Sequence, residues 1–473
     1  MIGSSETTPR DIRELVDRAR AAMHGFSTRG QKHVDMAVRA LAWAVYEPDR
    51  ASRLAEIAVE ETGFGNVESK IQKNRRKTFG ALRDLMHIKT VGLLEENPAT
   101  GIIRYGKPVG VVGAICPSTN PTATPVNKAM MAVKGGNAVI VSPSPGSWRA
   151  SSTTVSMMRD ELRRCGAPPD LVQVLPRPIT RDRTQALIKS VNLAVVTGSE
   201  RAVGRAMTSG TVTIGVGSGN VPVIVDSCAD LADAAVKIAA SKCFDNATSC
   251  SSENAVILLD DVYHPALRAL EEVGGWLCSA DESRSIASVL WRDGLLNRDV
   301  IAKDAKVAAG AFGLPKSAAK ARFFLVEEPA VGGPGSFADE KLSLVLTVYR
   351  AMDFAHAVEI CEAILRVRGE GHSVGIHTRN TAHARELAER LNVVRVLVNQ
   401  AHCLSAGGSF ENALPFTLSL GGGTWAASPI SENLNARHFI NITYLVHCTP
   451  EDKPSESDLF APLWMTHAEA SVE

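Results

Sequence analysis

A thiol stands in the middle of the polar stretch Lys242-Cys243-Phe244-Asp245-Asn246-Ala247-Thr248-Ser249-Cys250-Ser251-Ser252-Glu253-Asn254. A cysteine needs only modest help to ionise, and a Cys250 thiolate would form thiohemiacetals and thioesters readily. Upstream, Leu231, Ala234, Ala235 and Ile238 recur at i, i+3, i+4 and i+7, so segment 229–242 reads as a helix with one apolar stripe turned inward. Downstream, Ala255-Val256-Ile257-Leu258-Leu259 has the length and branching of a buried strand. A loop between two such elements can present its side chain to a cleft. The plainer reading is a buried inert thiol, the common fate of one Cys among nine. The hydroxyl-rich neighbours favour the nucleophile.

These elements belong to a longer alternation. From Val111 to Gly215 short branched runs alternate with helical patterns, the mark of repeated βα units feeding a parallel sheet. Strands are expected at Val111–Ile115, 138–141, 171–175, Leu193–Thr197 and 211–215, with helices near 123–134, 148–164, 181–189 and 200–208. A doubly wound nucleotide-binding sheet follows. The dinucleotide fingerprint Gly-x-Gly-x-x-Gly is missing after the first strand, and Gly215-Val216-Gly217-Ser218-Gly219 leads into the strand Val221–Val225 instead of a helix. A second βα series runs from about Val221 to Thr417.

A chain of 473 residues exceeds one ordinary core, so two or three domains are expected. Lysine plus arginine equals aspartate plus glutamate at 51 each, which gives no electrostatic case for nucleic acid or a membrane surface. The cysteine count is odd, with no Cys-x-x-Cys pair and no zinc spacing, so no metal is expected and a reducing cytoplasm fits best. No signal layout opens the chain, and no apolar run could span a bilayer. Segment 11–24 is amphipathic; a shell-targeting peptide and a core helix are both open to it, and the core helix is preferred.

The cysteine loop resembles the catalytic segment of the aldehyde dehydrogenase superfamily, in its CoA-acylating branch, where Phe-Asp-Asn-Gly-Thr-x-Cys-x-Ser-Glu is usual. Other motifs recur in the family's order between about Asp11 and Tyr444. Arg104-Tyr105-Gly106-Lys107-Pro108-Val109-Gly110 is similar to the strand entering the first domain, and Pro117-Ser118-Thr119-Asn120-Pro121 to the segment carrying an oxyanion asparagine. Val196-Thr197-Gly198-Ser199 resembles the nicotinamide-side loop. Glu340-Lys341-Leu342-Ser343, Gly369-Glu370-Gly371-His372, and Leu420-Gly421-Gly422-Gly423-Thr424-Trp425 with Ser431-Glu432-Asn433 resemble further acylating-branch motifs.

The resemblance implies an aldehyde dehydrogenase-like fold, with two doubly wound α/β domains and a β-hairpin oligomerisation arm. Its parts would be a nucleotide-binding domain at 1–90 and 110–218, a catalytic domain at 219–420, the arm and return at 91–109 and 421–448, and a tail at 449–473. The apolar patch Leu459-Phe460-Ala461-Pro462-Leu463-Trp464 in that tail could dock on a neighbouring subunit or stay loose. A homodimer or homotetramer is expected. The implied reaction converts an aldehyde and coenzyme A to an acyl-CoA with NAD or NADP, through a thiohemiacetal and then a thioester on Cys250.

Asn120 and the Cys250 backbone N–H would stabilise the alkoxide, although an Asn before Pro is otherwise a turn residue. Thr197, Gly198, Ser199 and Gly204 would lie at the cofactor's phosphates, where helix N-termini favour anions; a bare turn glycine is the alternative for Gly198. Ser142 and Pro143 stand where many NAD-linked relatives have Lys-Pro-Ser-Glu, and with Arg149 close in sequence NADP is permitted. Glu340 would bind the nicotinamide ribose or cap a helix. His372 is catalytic or structural, and Glu253 assists proton transfer or caps local backbone. Val216 takes the place of the glutamate that activates water in hydrolytic members, and valine cannot take a proton. The thioester must then pass to a thiol. Ser249, Ser251 and Asn127, with Thr248 and Ser252, suit an aldehyde with a polar or anionic tail. Sulfoacetaldehyde leads, acetaldehyde or propionaldehyde is the alternative, and hydrolytic aldehyde oxidation is the competing activity.

Overall fold

A computed structural model describes residues 9–469. Five parallel strands form the first sheet in the order Val172–Val174, Ala138–Ser142, Val111–Ile115, Leu193–Thr197, Thr213–Val216. Chain order reverses beside the central strand Val111–Ile115. Such a switch point leaves a crevice beyond the carboxyl ends of the strands. Intervening helices run over Ala123–Lys134, Trp148–Arg164, Arg181–Ser190 and Glu200–Met207, within a residue of their expected places. The expected strand at 211–215 begins two residues later, because Thr211 turns its hydroxyl back to the Ile188 carbonyl before the sheet begins.

The helix Arg10–Ser27 buries Ile12, Leu15, Val16 and Ala19 in the core of this sheet, as the preferred reading of segment 11–24 requires. The same core takes in Leu434, Ala436 and Phe439, so the chain returns to it near its end.

Seven parallel strands form the second sheet, ordered Gly275–Leu277, Phe323–Glu327, Val345–Ala351, Glu253–Leu259, Val221–Val225, Val374–His377, Val396–Val398. Separate apolar clusters cover its two faces, which explains why Glu253–Leu259 and Val221–Val225 read as unbroken apolar runs. A third, antiparallel sheet pairs the hairpin Gly92–Asn97 and Ile102–Pro108 with Ile440–Val446. The chain then forms the helix Glu456–Glu469, on which Leu459, Phe460 and Trp464 are exposed. Among the described residues no helix is long and apolar enough to cross a membrane, and no group of three or more His, Cys, Asp or Glu is placed to hold a metal ion.

Candidate active site

The helix Leu231–Cys243 ends in a turn where Asp245, Asn246 and Ala247 all take left-handed backbone angles, φ 50°, 54° and 59°. Left-handed angles cost non-glycine residues roughly 1–2 kcal/mol each, so the surroundings must hold the turn in place. Ala247 bears this strain where the resembling pattern has glycine. The hold comes from Asp245, whose buried carboxylate accepts from Lys70 Nζ (3.0 Å), Lys73 Nζ (2.5 Å), Thr248 Oγ1 (2.7 Å) and Asn66 N (3.1 Å). Both ammonium groups keep that carboxyl below its usual range despite burial. Gly219 backs the loop, and a Cβ there would come within 2.0 Å of the Cys250 carbonyl oxygen.

Cys250 lines a cavity of about 340 Å³ together with Asn120, Thr197, Gly198, Ser199, Ser249, Ser251 and Glu340. Lys73 Nζ donates to Asn120 Oδ1 at 2.7 Å. An ammonium can only donate, so this contact fixes which end of the amide is oxygen and leaves the NH₂ group for a developing oxyanion. Lys73 was not anticipated. Its signal was present in the sequence, since Lys70, Lys73 and Lys77 follow helical spacing on what proves to be the buried face of Val67–Met86.

Burial pushes the Cys250 thiol up to about 12; Glu340 and Cys403 push the same way, and Arg395 opposes them. The modest help expected from the sequence is therefore insufficient in the ligand-free protein, and positive charge brought into the cavity would lower the thiol. Arg395 itself is spent on structure, donating to Asn433 Oδ1 (2.7 Å), the His372 carbonyl (3.1 Å) and the Gly421 carbonyl (3.0 Å). Arg395 thereby ties the segment at Gly421 to the one at Asn433. Glu340 accepts from Gly219 N at 3.3 Å, and burial raises its carboxyl to about 8.

A second cleft, about 550 Å³, opens at the switch point of the first sheet and is lined by Ile115, Ser142, Pro143, Thr197, Gly198 and Ser199. It shares Pro117, Ser118, Thr197, Gly198 and Ser199 with the Cys250 cavity. Two joined chambers, one at strand ends and one at a thiol, suit the two halves of a dinucleotide. Ser199 caps the helix Glu200–Met207, and a Cβ on Gly204 would meet nothing within 4 Å, so the protein's own packing does not require that glycine. Arg149 does not face this cleft. Glu60 takes its guanidinium at 2.7 Å, whereas Arg181, Arg205 and Arg298 supply the cations there.

Asn127, Glu253 and His372, expected near the thiol, do not line the Cys250 cavity. Asn127 is buried behind it, its amide oxygen accepting from Leu418 N at 3.3 Å, so it supports the wall and does not line it. Glu253 accepts from His402 N at 3.1 Å, the local backbone role left open above, with its carboxyl raised to about 7 by burial. His372 is held near 3 by burial, bonds Ser373 Oγ at 2.7 Å, and reaches His402 through that hydroxyl (2.8 Å). It borders a small adjoining void with Val216, Gly217 and Ser218, the last two of which also line the Cys250 cavity.

Residues 2–274 match the aldehyde dehydrogenase family. The chain is 48% identical to the sulfoacetaldehyde dehydrogenase (acylating) of Cupriavidus necator, over 95% of this chain and 91% of that protein. It is 42% identical to the protein of the same name from Bilophila wadsworthia, over 95% and 97%. Among solved structures, an acetylating aldehyde dehydrogenase from Geobacillus thermoglucosidasius superposes with a TM-score of 0.90 at 31% identity, covering 94% of this chain and 98% of that one. The motifs, the two α/β sheets and a thiol in a cavity joined to the switch-point cleft agree with these likenesses, and the chain belongs to the aldehyde dehydrogenase family, in its CoA-acylating branch.

Proposed function

We propose that the protein converts sulfoacetaldehyde and coenzyme A to the corresponding acyl-CoA, reversibly, with Cys250 as nucleophile and Asn120 as oxyanion donor. Bound NAD or NADP supplies the hydride acceptor. The Cys250 thiolate adds to the aldehyde carbon, and the resulting alkoxide sits against the Asn120 NH₂, held in place by Lys73. Loss of hydride leaves a thioester on Cys250. The thiol of coenzyme A then displaces Cys250, forming the new thioester, while its proton passes to the departing sulfur and restores the protein thiol. Thr197, Gly198 and Ser199 sit at the junction of the two chambers, where they would hold the cofactor's phosphate and nicotinamide ends; Ser142 and Pro143, in the second cleft, and Glu340, in the Cys250 cavity, would hold its remaining parts, Glu340 the nicotinamide ribose.

Val216 carries the acylating reading. It is buried and apolar at the position that, by the motif resemblance, carries the water-activating glutamate in hydrolytic members, and it borders the void adjoining the Cys250 cavity. Supporting the substrate are the names of the two relatives above and the hydroxyls of Ser249 and Ser251, which bond one another at 2.9 Å in the cavity wall. The open edge strand Ile440–Val446, with Tyr444, Leu445 and Val446 exposed, supports assembly as a homodimer or homotetramer, readable by sedimentation. The nine free cysteines suit a reducing cytoplasm.

Rapid mixing with aldehyde and oxidised cofactor tests the activity. Without coenzyme A, reduced nicotinamide should appear as a burst of about one per active site, followed by slow turnover. Coenzyme A should restore steady turnover and yield acyl-CoA. Steady free-acid production without it would overturn the reading.

A further inference from the structure

The helix Val67–Met86 turns Lys70, Lys73 and Lys77 into the protein, at i, i+3 and i+7 on one face. Buried ammonium groups normally persist only where a carboxylate answers them. Asp245 answers Lys70 and Lys73. Lys77 forms no ion pair with any described residue; its Nζ donates to the carbonyls of Gly407 (2.8 Å) and Gly408 (3.2 Å) and lies 5.4 Å from the centre of the Phe416 ring, which leaves one of its three protons without an oxygen acceptor. Burial holds this lysine down to about 7, and Arg76 and Lys73 push it the same way, so the site lacks an anion.

Lys77 nevertheless lines the Cys250 cavity, beside Ser249, Cys403 and Gly407. None of these four borders the nucleotide cleft. They form the side of the cavity left for the aldehyde once a cofactor occupies the junction at Thr197-Gly198-Ser199. Lys77 is the one lysine or arginine among the residues lining the cavity, and the one carboxyl there, Glu340, is raised to about 8 by burial.

We infer that Lys77 is the anchor for the anionic tail of a short aldehyde, its ammonium holding a sulfonate while the carbonyl carbon meets Cys250. The inference rests on the acylating, sulfoacetaldehyde reading above and adds the residue that selects that substrate. A sulfonate spreads its charge over three acceptor oxygens and stays ionised wherever the enzyme works, so the free Lys77 proton gains a charge-assisted hydrogen bond. Ser249 adds a neutral hydroxyl on the same side.

The test compares wild type, Lys77→Met, Lys77→Gln and Lys77→Arg, each with sulfoacetaldehyde, succinic semialdehyde and propionaldehyde at saturating coenzyme A and NAD(P). The readout is the ratio of kcat/KM for sulfoacetaldehyde to that for propionaldehyde. It should fall about 10- to 100-fold in Lys77→Met, the scale of losing one hydrogen bond to a charged group, and most of it should survive in Lys77→Arg. Lys77→Gln keeps a donor for Gly407 and should lose the ratio as Met does, which separates charge from packing. In the wild type, ethanesulfonate should slow alkylation of Cys250 by iodoacetamide, and a neutral sulfone of the same size should not.

A ratio unchanged in both Lys77→Met and Lys77→Gln would overturn the anchor while leaving the acylating function intact, as would absence of ethanesulfonate protection. A wild type that uses all three aldehydes equally would sink the substrate reading and the anchor together, and one that prefers succinic semialdehyde would overturn the sulfonate assignment. Acid formation without coenzyme A would instead strike at the acylating reading itself.

Discussion

The two chambers that meet at Thr197-Gly198-Ser199 are built from different materials. The switch-point cleft is made by topology: strand ends, a capped short helix, and a switch in strand order beside Val111–Ile115. The thiol cavity is made by side chains drawn from far apart in sequence, with the Lys70, Lys73 and Asp245 cluster bracing a left-handed turn and Asn120 at once. Backbone architecture tolerates substitution of individual residues. A buried charge network does not, because removing one partner leaves the others uncompensated.

The largest expected effect tests the thiol wall directly. Cys250→Ala should abolish aldehyde-dependent cofactor reduction while leaving the fold and cofactor binding intact, as read by circular dichroism and nicotinamide fluorescence titration. Turnover at the wild-type rate would remove Cys250 from the mechanism.

Next comes Asn120, the proposed oxyanion donor. Asn120→Ala should lower kcat by about 10²-fold or more, the scale of losing one such donor. Lys73→Met should lower kcat as well, and should also destabilise the protein by about 3 kcal/mol or more, since it leaves Asp245 short of a partner. Chemical denaturation checks the second part. A loss confined to KM in Asn120→Ala would recast that residue as a binding group.

The third prediction concerns pH. Because burial raises the Cys250 thiol to about 12, the thiolate fraction of the ligand-free protein should climb roughly tenfold per pH unit throughout the neutral and mildly alkaline range. Iodoacetamide labelling, followed by mass spectrometry at Cys250, should accelerate in step without levelling below pH 9. A plateau near neutrality would mean that the cavity already holds a thiolate.

The smallest effect belongs to Cys243, seven residues away on the helix end, where its Sγ donates to the Arg322 carbonyl at 3.6 Å and its side chain packs against the edge of the apolar core. Cys243→Ala should leave kcat within about twofold of wild type, as is usual for a substitution that touches no special feature. A loss as large as that of Cys250→Ala would show that loop integrity, rather than one thiol, sets the rate.

Much of the architecture was legible because its signals are local. Apolar runs such as Ala255-Val256-Ile257-Leu258-Leu259 and the helical stripe before Cys250 depend on period alone, and the structure places both elements as read. Motif order likewise brought Cys250, Asn120, Thr197 and Glu340 to one cavity. Asn127 and Arg149 misled because nearness in sequence does not give direction: one supports Leu418 from behind, and the other is claimed by Glu60.

By itself, then, the sequence determined the parallel α/β plan, the loop position of the Cys250 thiol, and the apolar character of position 216. Tertiary structure alone decided how the thiol is surrounded. Lys70, Lys73 and Lys77 read as three charged residues on a helix, normally a solvated face, and only packing against Asp245, Asn120 and the Gly407 carbonyl turns that face inward. The reason is physical: the energy of a buried charge depends on what lies within a few ångströms of it, and those neighbours come from segments more than 170 residues distant in the case of Asp245 and 330 in that of Gly407.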